Sequence, residues 1–240
     1  CCARAEAYGI LLYCNTFSAR EIRVMTESEA FAKRLPPLLK KAFRITFDRL
    51  PDGEGKYIFS IMDRDKLAAV HQTFGSDLGA LALHLNFAVL EESCCRTSFL
   101  RGAFLAGGSV TDPRKGYHLE LATTHQSVSR ELEALMREME LEPKAAQRKG
   151  NSVIYFKQSD RIEDFLTSIG APVSAMEVMN AKLEKDIRGS VNRRVNCDAA
   201  NLDKAVEAAM VQLEAIRRLE ERGRLALLPD KLKETAALRL

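Results

Sequence analysis

Cys94-Cys-Arg-Thr-Ser-Phe-Leu-Arg-Gly102-Ala-Phe-Leu-Ala-Gly-Gly-Ser109-Val110 decides the fold, because it repeats the opening of the chain. The first copy reads Cys1-Cys-Ala-Arg-Ala-Glu-Ala-Tyr-Gly9-Ile-Leu-Leu-Tyr-Cys-Asn-Thr16-Phe17. A constant offset of 93 residues aligns the copies without a gap, placing Cys2 on Cys95, Gly9 on Gly102 and Thr16 on Ser109. Two long copies at a fixed offset predict a duplicated half-domain rather than a solenoid of many short repeats.

The bulk composition is that of an ordinary globular protein. The chain has 240 residues, of which 46% are hydrophobic, and a net charge of only +3. That charge does not by itself mark a nucleic-acid binder, so a basic surface would require uneven distribution. No apolar run approaches the roughly 20 residues of a membrane span, and no signal peptide is visible. Because the sequence opens without Met and stops inside a helical pattern, we expect it to be the interior of a longer protein.

Hydrophobic periodicity predicts the same series of elements in each half. In the first half the predicted helices cover 1–14, 28–43 and 63–74, and the predicted strands 17–25, 44–49 and 56–62. Ser28 should cap the second helix, Pro36-Pro37 should bend or restart it, and Gly75 should end the third. A connector over 78–90 is expected to be helical near 81–85.

In the second half the predicted helices cover 94–106, 127–139 and 161–169, and the predicted strands 109–111, 117–123, 144–147 and 152–157. We interpret both halves as copies of one order, α-β-β-α-β-β-α, although only three strands are predicted in the first half. This order places the chain in the α+β class. After Pro172 the pattern changes to two long helices, 174–188 and 201–222, with a polar basic joint over 189–196.

The repeated helix carries small residues at a spacing of four, which places them on one face. In the first copy these are Ala5 and Gly9, and in the second Ser98, Gly102 and Ala106. Two such bare faces let two helices meet backbone to backbone. We therefore expect these residues to form the interface between the halves.

These residues resemble a known family. Leu100-Arg-Gly-Ala-Phe-Leu-Ala-Gly-Gly-Ser109 resembles the LAGLIDADG motif of homing endonucleases, and the order of elements in each half matches that fold. The runs 94–104, 107–110 and 192–204 more specifically resemble the WhiA family of bacterial regulators, which join a LAGLIDADG-like domain to a helix-turn-helix domain. The resemblance implies two LAGLIDADG-like halves, 1–92 and 93–172, a helical linker, 173–227, and the entry to a truncated helix-turn-helix domain, 228–240.

The resemblance also implies where nuclease chemistry would lie. In the endonucleases an acid at the foot of each repeated helix binds a divalent metal. The corresponding residues here are Cys14 and Gly107, and neither offers the carboxylate oxygens that Mg²⁺ requires. Asp112 and Glu21 lie away from these positions. We therefore predict no catalytic residues, no metal site, no cofactor and no DNA cleavage.

The strands that would face DNA in this fold, together with their turns, carry positive charge. The candidate DNA-binding residues are Arg20, Arg23, Arg44, Arg49, Lys56, Arg114, Lys115, His118, Lys144, Arg148, Lys149 and Lys157, with Arg188, Arg193 and Arg194 in the joint. Phosphate contacts from such residues would supply affinity. The alternative is that lysine and arginine merely protect strand edges. Glu120 and Asp48 also fall on predicted strands, so the face is not purely basic.

The six cysteines are Cys1, Cys2, Cys14, Cys94, Cys95 and Cys197. Adjacent Cys-Cys pairs are unlike common metal-ligand spacings, and no C-x-x-C is present. We interpret them mainly as buried small hydrophobes in a reducing cytosol, with a disulfide framework or metal site as the alternatives.

Two hypotheses for function follow. In the first, the chain is the catalytically inactive LAGLIDADG-like part of a DNA-binding transcription regulator; the family resemblance implies roles in sporulation, cell division and chromosome segregation. In the second, it is a protein-interaction scaffold, and DNA binding resides only in the helix-turn-helix domain. An active homing endonuclease is a third alternative. The expected partners are double-stranded DNA and, by resemblance, other transcription factors or RNA polymerase, with no membrane and no small-molecule substrate; the expected location is the cytoplasm, at the nucleoid.

Overall fold

The structure, a computed structural model, describes residues 1–53, 55–75 and 82–239. Its contacts divide the chain into two units, Cys1–Lys182 and Leu183–Leu240. The first half contains α1 (Cys2–Tyr13), β1 (Thr16–Phe17), β2 (Ile22–Thr26), α2 (Glu29–Phe43), β3 (Tyr57–Ile61) and α3 (Arg64–Phe74). The second half contains α4 (Ser93–Gly107), β4 (Gly108–Val110), β5 (Leu119–Thr123), α5 (Gln126–Glu138), β6 (Lys144–Arg148), β7 (Asn151–Phe156) and α6 (Ser159–Ser168), and α7 (Pro172–Glu221) and α8 (Asp230–Ala237) follow.

The ends of α2 and α3 follow from local side-chain chemistry. Ser28 accepts a hydrogen bond from the backbone N–H of Phe31, and Asp63 accepts from Asp65 and Lys66. Gly75 ends α3 in the left-handed region at φ 61°, which glycine adopts at low cost. The predicted cap at Ser28 and stop at Gly75 are confirmed.

Helix α2 is continuous through Pro36-Pro37, so it does not restart there. Each proline lacks the N–H that would bond one turn back, which normally weakens a helix. Leu35 before the pair and Leu38 and Leu39 after it are all buried in the same core. Packing on both sides of the prolines therefore outweighs the lost hydrogen bonds.

The first sheet has three antiparallel strands in the order β1-β2-β3. The single strand predicted over 17–25 is wrong, because Ser18 N–H donates to the Glu21 carbonyl and turns the chain into a hairpin. The strand predicted over 44–49 is also wrong. Arg44 ends α2 at φ 61°, and only Arg49 forms an isolated bridge, to Ser60.

The second sheet has four antiparallel strands in the order β4-β5-β7-β6, so all four predicted strands are confirmed. Beyond it, the predicted joint over 189–196 is wrong, because α7 is continuous from Pro172 to Glu221. The only glycine in that joint, Gly189, lies inside the helix, and no proline follows to break it. In the connector, residues 76–81 lie outside the described part, and 82–85 are not helical as expected; a short 3₁₀ turn forms instead at Phe87–Val89.

The core is built around α1 and α4. Residues 5–13 of α1 are buried continuously, which matches a helix with little charge on any face. Tyr8 stacks on Phe74 with ring centroids 4.2 Å apart and lies 5.6 Å from the ring of Phe99. These ring contacts therefore place residues of both half-domains in one core.

Candidate nucleic-acid interface

One row of side chains crosses the outward face of the first sheet. Register places Thr16 beside Arg23 and Arg23 beside Ser60, and Arg49 bridges to Ser60 from the other side. Because Ile22 and Val24 are buried, Arg23 between them faces away from the core. Its guanidinium donates to the Thr16 hydroxyl at 3.3 Å. The row presents two arginines to solvent, although Arg49 also contacts Asp52 at 3.4 Å.

The matching row of the second sheet runs Ser109, Glu120, Tyr155 and Lys144. Ser109 corresponds to Thr16 in the repeat, so the two rows begin at equivalent positions. A carboxylate stands here where the first sheet has an arginine. The two outward faces thus share geometry but differ in charge.

Glu120 and Tyr155 both contact basic side chains on the second face. Glu120 accepts from His118 Nε2 at 2.9 Å and from Arg148 Nη1 at 3.2 Å. The Arg148 guanidinium and the Lys157 ammonium each lie 5.4 Å from the centre of the Tyr155 ring, within cation–π range. Glu120 therefore offsets part of this positive charge, and the face is mixed rather than uniformly basic.

The remaining candidates lie outside the strands. Arg44 ends α2, and the other exposed basic residues occupy turns or strand ends: Arg20, Lys56, Arg114, Lys115 and Lys149. Arg188, Arg193 and Arg194 are exposed on α7 rather than on a loop. The structure therefore brings together Arg23 with Arg49, and His118 with Arg148 and Lys157. The other candidates of the first unit lie in turns, at a helix end or at strand ends.

The feet of the two repeated helices are closed to a metal. Cys14 follows the last residue of α1, where its thiol donates to the carbonyls of Leu11 and Thr16 at 3.1 Å each. Burial raises the pKa of this thiol to about 12, so it stays protonated. At Gly107 a Cβ atom would lie 2.7 Å from Cδ1 of Tyr13 and 2.9 Å from the carbonyl oxygen of Ala122. A carboxylate at position 107 has no room in this arrangement.

The next acidic residues along the chain after Cys14 and Gly107 make other contacts. Asp112 accepts from the backbone N–H of Arg114 at 2.9 Å and shapes the β4–β5 turn. Glu21 lies 4.0 Å from Arg23 at the end of the first hairpin. In the described part of the chain, the one group of three or more cysteine, histidine or acidic residues close enough to share a metal consists of cysteines.

The repeated helices meet backbone to backbone at their glycines. A Cβ on Gly9 would lie 2.2 Å from the Phe99 carbonyl oxygen, and one on Gly102 would lie 2.0 Å from the Glu6 carbonyl oxygen. Real Cβ atoms do not approach backbone so closely, which means that only glycine fits at either position. Ala5 and Ser98 are buried, whereas Ala106 is half-buried.

Sequence reasoning missed a buried ion triad beside this contact. The Glu6 side chain is 4% exposed, and its carboxylate accepts from Arg34 Nε at 2.6 Å and from Arg101 Nη2 at 2.9 Å. Burial acts to raise the pKa of Glu6, but the hydrogen bonds from Arg34 and Arg101 outweigh it and hold the pKa below its ordinary value. The triad joins α1, α2 and α4; an acid within a helix whose one other charged residue is Arg4 was the available signal.

The cysteines also lie differently from the sequence interpretation. Cys95 is buried and Cys2 and Cys14 are half-buried, but Cys1, Cys94 and Cys197 are exposed, so the description of all six as buried is wrong. Cys1, Cys2, Cys94 and Cys95 come together at the first turns of α1 and α4.

In the described part of the chain, no helix is both long and apolar enough to cross a membrane.

The duplicated α+β unit, with paired glycine-bearing helices between two antiparallel sheets, defines a LAGLIDADG-type protein. Comparison with known families identifies the particular family. Residues 96–188 match the model of the WhiA LAGLIDADG-like domain, and residues 191–240 match that of the WhiA C-terminal HTH domain. The chain belongs to the WhiA family. The second match begins well before residue 228, where the sequence alone suggested the helix-turn-helix entry.

Relatives and solved structures agree with this assignment. The chain is 35% identical to a protein of Ruminiclostridium cellulolyticum named "Probable cell division protein WhiA", over 100% of this chain and 80% of that one. A protein of the same name from Bacillus cytotoxicus is 35% identical, with 100% and 79% coverage.

Among solved structures, full-length DUF199/WhiA from Thermatoga maritima superposes with a TM-score of 0.67 at 23% identity, covering 100% of this chain and 80% of that one. The endonuclease I-DmoI in complex with DNA and Mn superposes with a TM-score of 0.52 at 13% identity, over 70% of this chain and 96% of that one. These two likenesses establish the shared fold.

Proposed function

We propose that this chain is a DNA-binding regulator without nuclease activity, and that its LAGLIDADG-like unit contacts duplex DNA through the outward faces of both sheets. The observation that carries the proposal is that both outward faces hold basic side chains: Arg23 and Arg49 on one sheet, and Arg148 and Lys157 beside Tyr155 on the other, although Glu120 occupies the register position of Arg23. Basic side chains on adjacent strands suit phosphate contacts, and Tyr155 holds two of them in place. The regulator's proposed roles are in sporulation, cell division and chromosome segregation, at the nucleoid in the cytoplasm, with transcription factors or RNA polymerase as further partners.

Salt dependence of binding tests the proposal. Each phosphate contact contributes about 0.9 to the slope of log affinity against log salt. We expect the variant Arg23→Gln/Arg49→Gln/Arg148→Gln/Lys157→Gln to bind duplex DNA more weakly than the native chain, with a slope smaller by about 2 or more. Fluorescence anisotropy at 50 mM and 200 mM salt measures both quantities.

The matched control removes positive charge from exposed residues on helices. Lys40→Gln/Lys41→Gln/Arg130→Gln/Arg137→Gln lowers net charge equally and alters α2 and α5, which cover the sheets from the core side. This control should keep the native slope. Equal slopes for the sheet variant and the native chain would contradict the proposal.

The scaffold hypothesis remains the alternative, and one observation favours it. Glu120 contacts Arg148 at 3.2 Å and His118 at 2.9 Å on the second face, and its negative charge lowers the positive charge available to phosphate. In that case the sheet variant and the native chain would bind DNA identically through residues of the helix-turn-helix region. The same titration therefore separates the two functions.

Absence of cleavage follows from the closed helix feet. Incubated with supercoiled plasmid and Mg²⁺ or Mn²⁺, the purified chain is expected to produce no nicked or linear product, because Cys14 and Gly107 provide no carboxylate to hold the metal. Gel electrophoresis measures the outcome. Metal-dependent cleavage that disappears in Asp112→Asn or Glu21→Gln would show that an acid elsewhere has taken over, whereas cleavage retained in both variants would indicate a contaminant.

A further inference from the structure

Four cysteine thiols meet where the two copies of the repeat begin. The sulfur atoms of Cys1, Cys2, Cys94 and Cys95 all lie within 4.8 Å of one another, although the two pairs are far apart in sequence. The backbone contact at Gly9 and Gly102 aligns α1 with α4 and brings their first turns together. Each copy contributes the same two positions, so the cluster is a product of the duplication.

The spacing of the sulfur atoms suits a single tetrahedral ion. Zinc–thiolate bonds of about 2.3 Å place the sulfurs of a Cys₄ site about 3.8 Å apart. Cys1 Sγ and Cys2 Sγ are 4.0 Å apart, and the longest separation in the cluster is within 4.8 Å. All four cysteines are free thiols. A contraction of about 1 Å or less would complete the coordination shell.

The surroundings favour thiolates over thiols. Both α1 and α4 begin without a side-chain cap hydrogen bond, so the partial positive charge of two helix N-termini lies near the sulfurs, although Glu92 occupies the N-cap position of α4. Cys2 also lines a cavity of about 340 Å³ with Lys41 and with the Glu6–Arg34–Arg101 triad.

We propose that Cys1, Cys2, Cys94 and Cys95 bind one Zn²⁺ ion that joins the first turns of α1 and α4. Four S–H protons leave to solvent when the four Zn–S bonds form, and the resulting charge of −2 lies near two helix N-termini and the cavity that Lys41 lines. All four positions are filled by protein, so the site is closed and structural, with no place for a reacting water. This assignment differs from the sequence prediction of no metal site, because the two cysteine pairs are far apart in sequence and meet only in the folded chain.

Cobalt substitution tests the site. Titration of the reduced chain with Co²⁺ is expected to give the ligand-field bands of tetrahedral cobalt and thiolate-to-cobalt absorption, saturating at one ion per chain. Zn²⁺ should displace Co²⁺ and abolish the bands. In Cys94→Ser and in Cys1→Ser, both exposed positions, zinc affinity should fall by roughly 100-fold or more.

Cys197→Ser is the matched control, since Cys197 is exposed and outside the cluster. It should keep one tetrahedral ion and native affinity. Circular dichroism of each variant separates lost ligands from lost folding. Octahedral cobalt spectra only, unchanged affinity in Cys94→Ser, or thiol counts showing that the two pairs form disulfides and leave no metal bound would each overturn the proposal.

Discussion

Gly102→Ala is expected to destabilise the chain by about 3 kcal/mol or more, because the new Cβ would overlap the backbone of α1. That atom would lie 2.0 Å from the Glu6 carbonyl oxygen and 3.1 Å from the Ile10 nitrogen, and neither can swing aside as a side-chain end could. Alanine should otherwise stabilise a helix interior by about 1 kcal/mol relative to glycine, so the sign of the effect is diagnostic. Thermal unfolding should show a midpoint lower by roughly 6–12 °C.

Gly116→Ala is the control for this prediction. Gly116 lies in the β4–β5 turn with nothing within 4 Å of a Cβ, and its φ is not in the left-handed region. The thermal unfolding midpoint of Gly116→Ala should stay close to that of the native chain. Equal midpoints for the two variants would contradict the close helix contact on which the fold depends.

Glu6→Gln is expected to cost about 3 kcal/mol, because it leaves two guanidiniums facing a buried group that no longer carries charge. The cost falls at the low end of the usual range, since the Arg34 and Arg101 side chains are 48% and 29% exposed and keep water contact. Urea unfolding at neutral pH measures the difference. Glu29→Gln, which breaks an exposed ion pair with Lys33, should leave the urea midpoint close to that of the native chain.

The triad of Glu6, Arg34 and Arg101 makes the stability of the chain depend on pH. Because the folded-state pKa of Glu6 lies below its unfolded value, its stabilising contribution is complete above about pH 4.3 and is lost as pH falls through the folded pKa. The stability gap between the native chain and Glu6→Gln should therefore narrow with increasing acidity. A gap that stays constant from pH 7 to pH 3 would mean that Glu6 does not act through its charge.

Local and periodic signals in the sequence predicted most of the fold. The exceptions arise where a tertiary contact replaces the structure that the local pattern favours. Ser28, Asp63 and Gly75 act through neighbours within three residues, so the sequence placed their helix ends correctly. The failed strand over 44–49 shows the limit: alternation was present, but Asp48 accepts from the N–H groups of Met62 and Asp63, and its side chain takes the place of strand pairing.

Features that depend on distant contacts could not be read along the chain. Arg34 and Arg101 lie far from Glu6 in sequence, and nothing local marks them as its partners. The cysteine pairs likewise meet only because two helices pack at their glycines. Among the basic candidates, alternation identified Arg23, whereas Arg44 was misplaced along with its strand.

The contact between Gly107 and Tyr13 has a consequence for the design of a metal site. An aromatic ring from one repeated helix lies 2.7 Å from where a side chain at position 107 of the other would begin. Gly107→Asp would first meet that ring and the Ala122 carbonyl, and would reduce stability before it supplied a metal ligand. An engineered pair of acids at the two helix feet would therefore need changes at 13, 14 and 107 together.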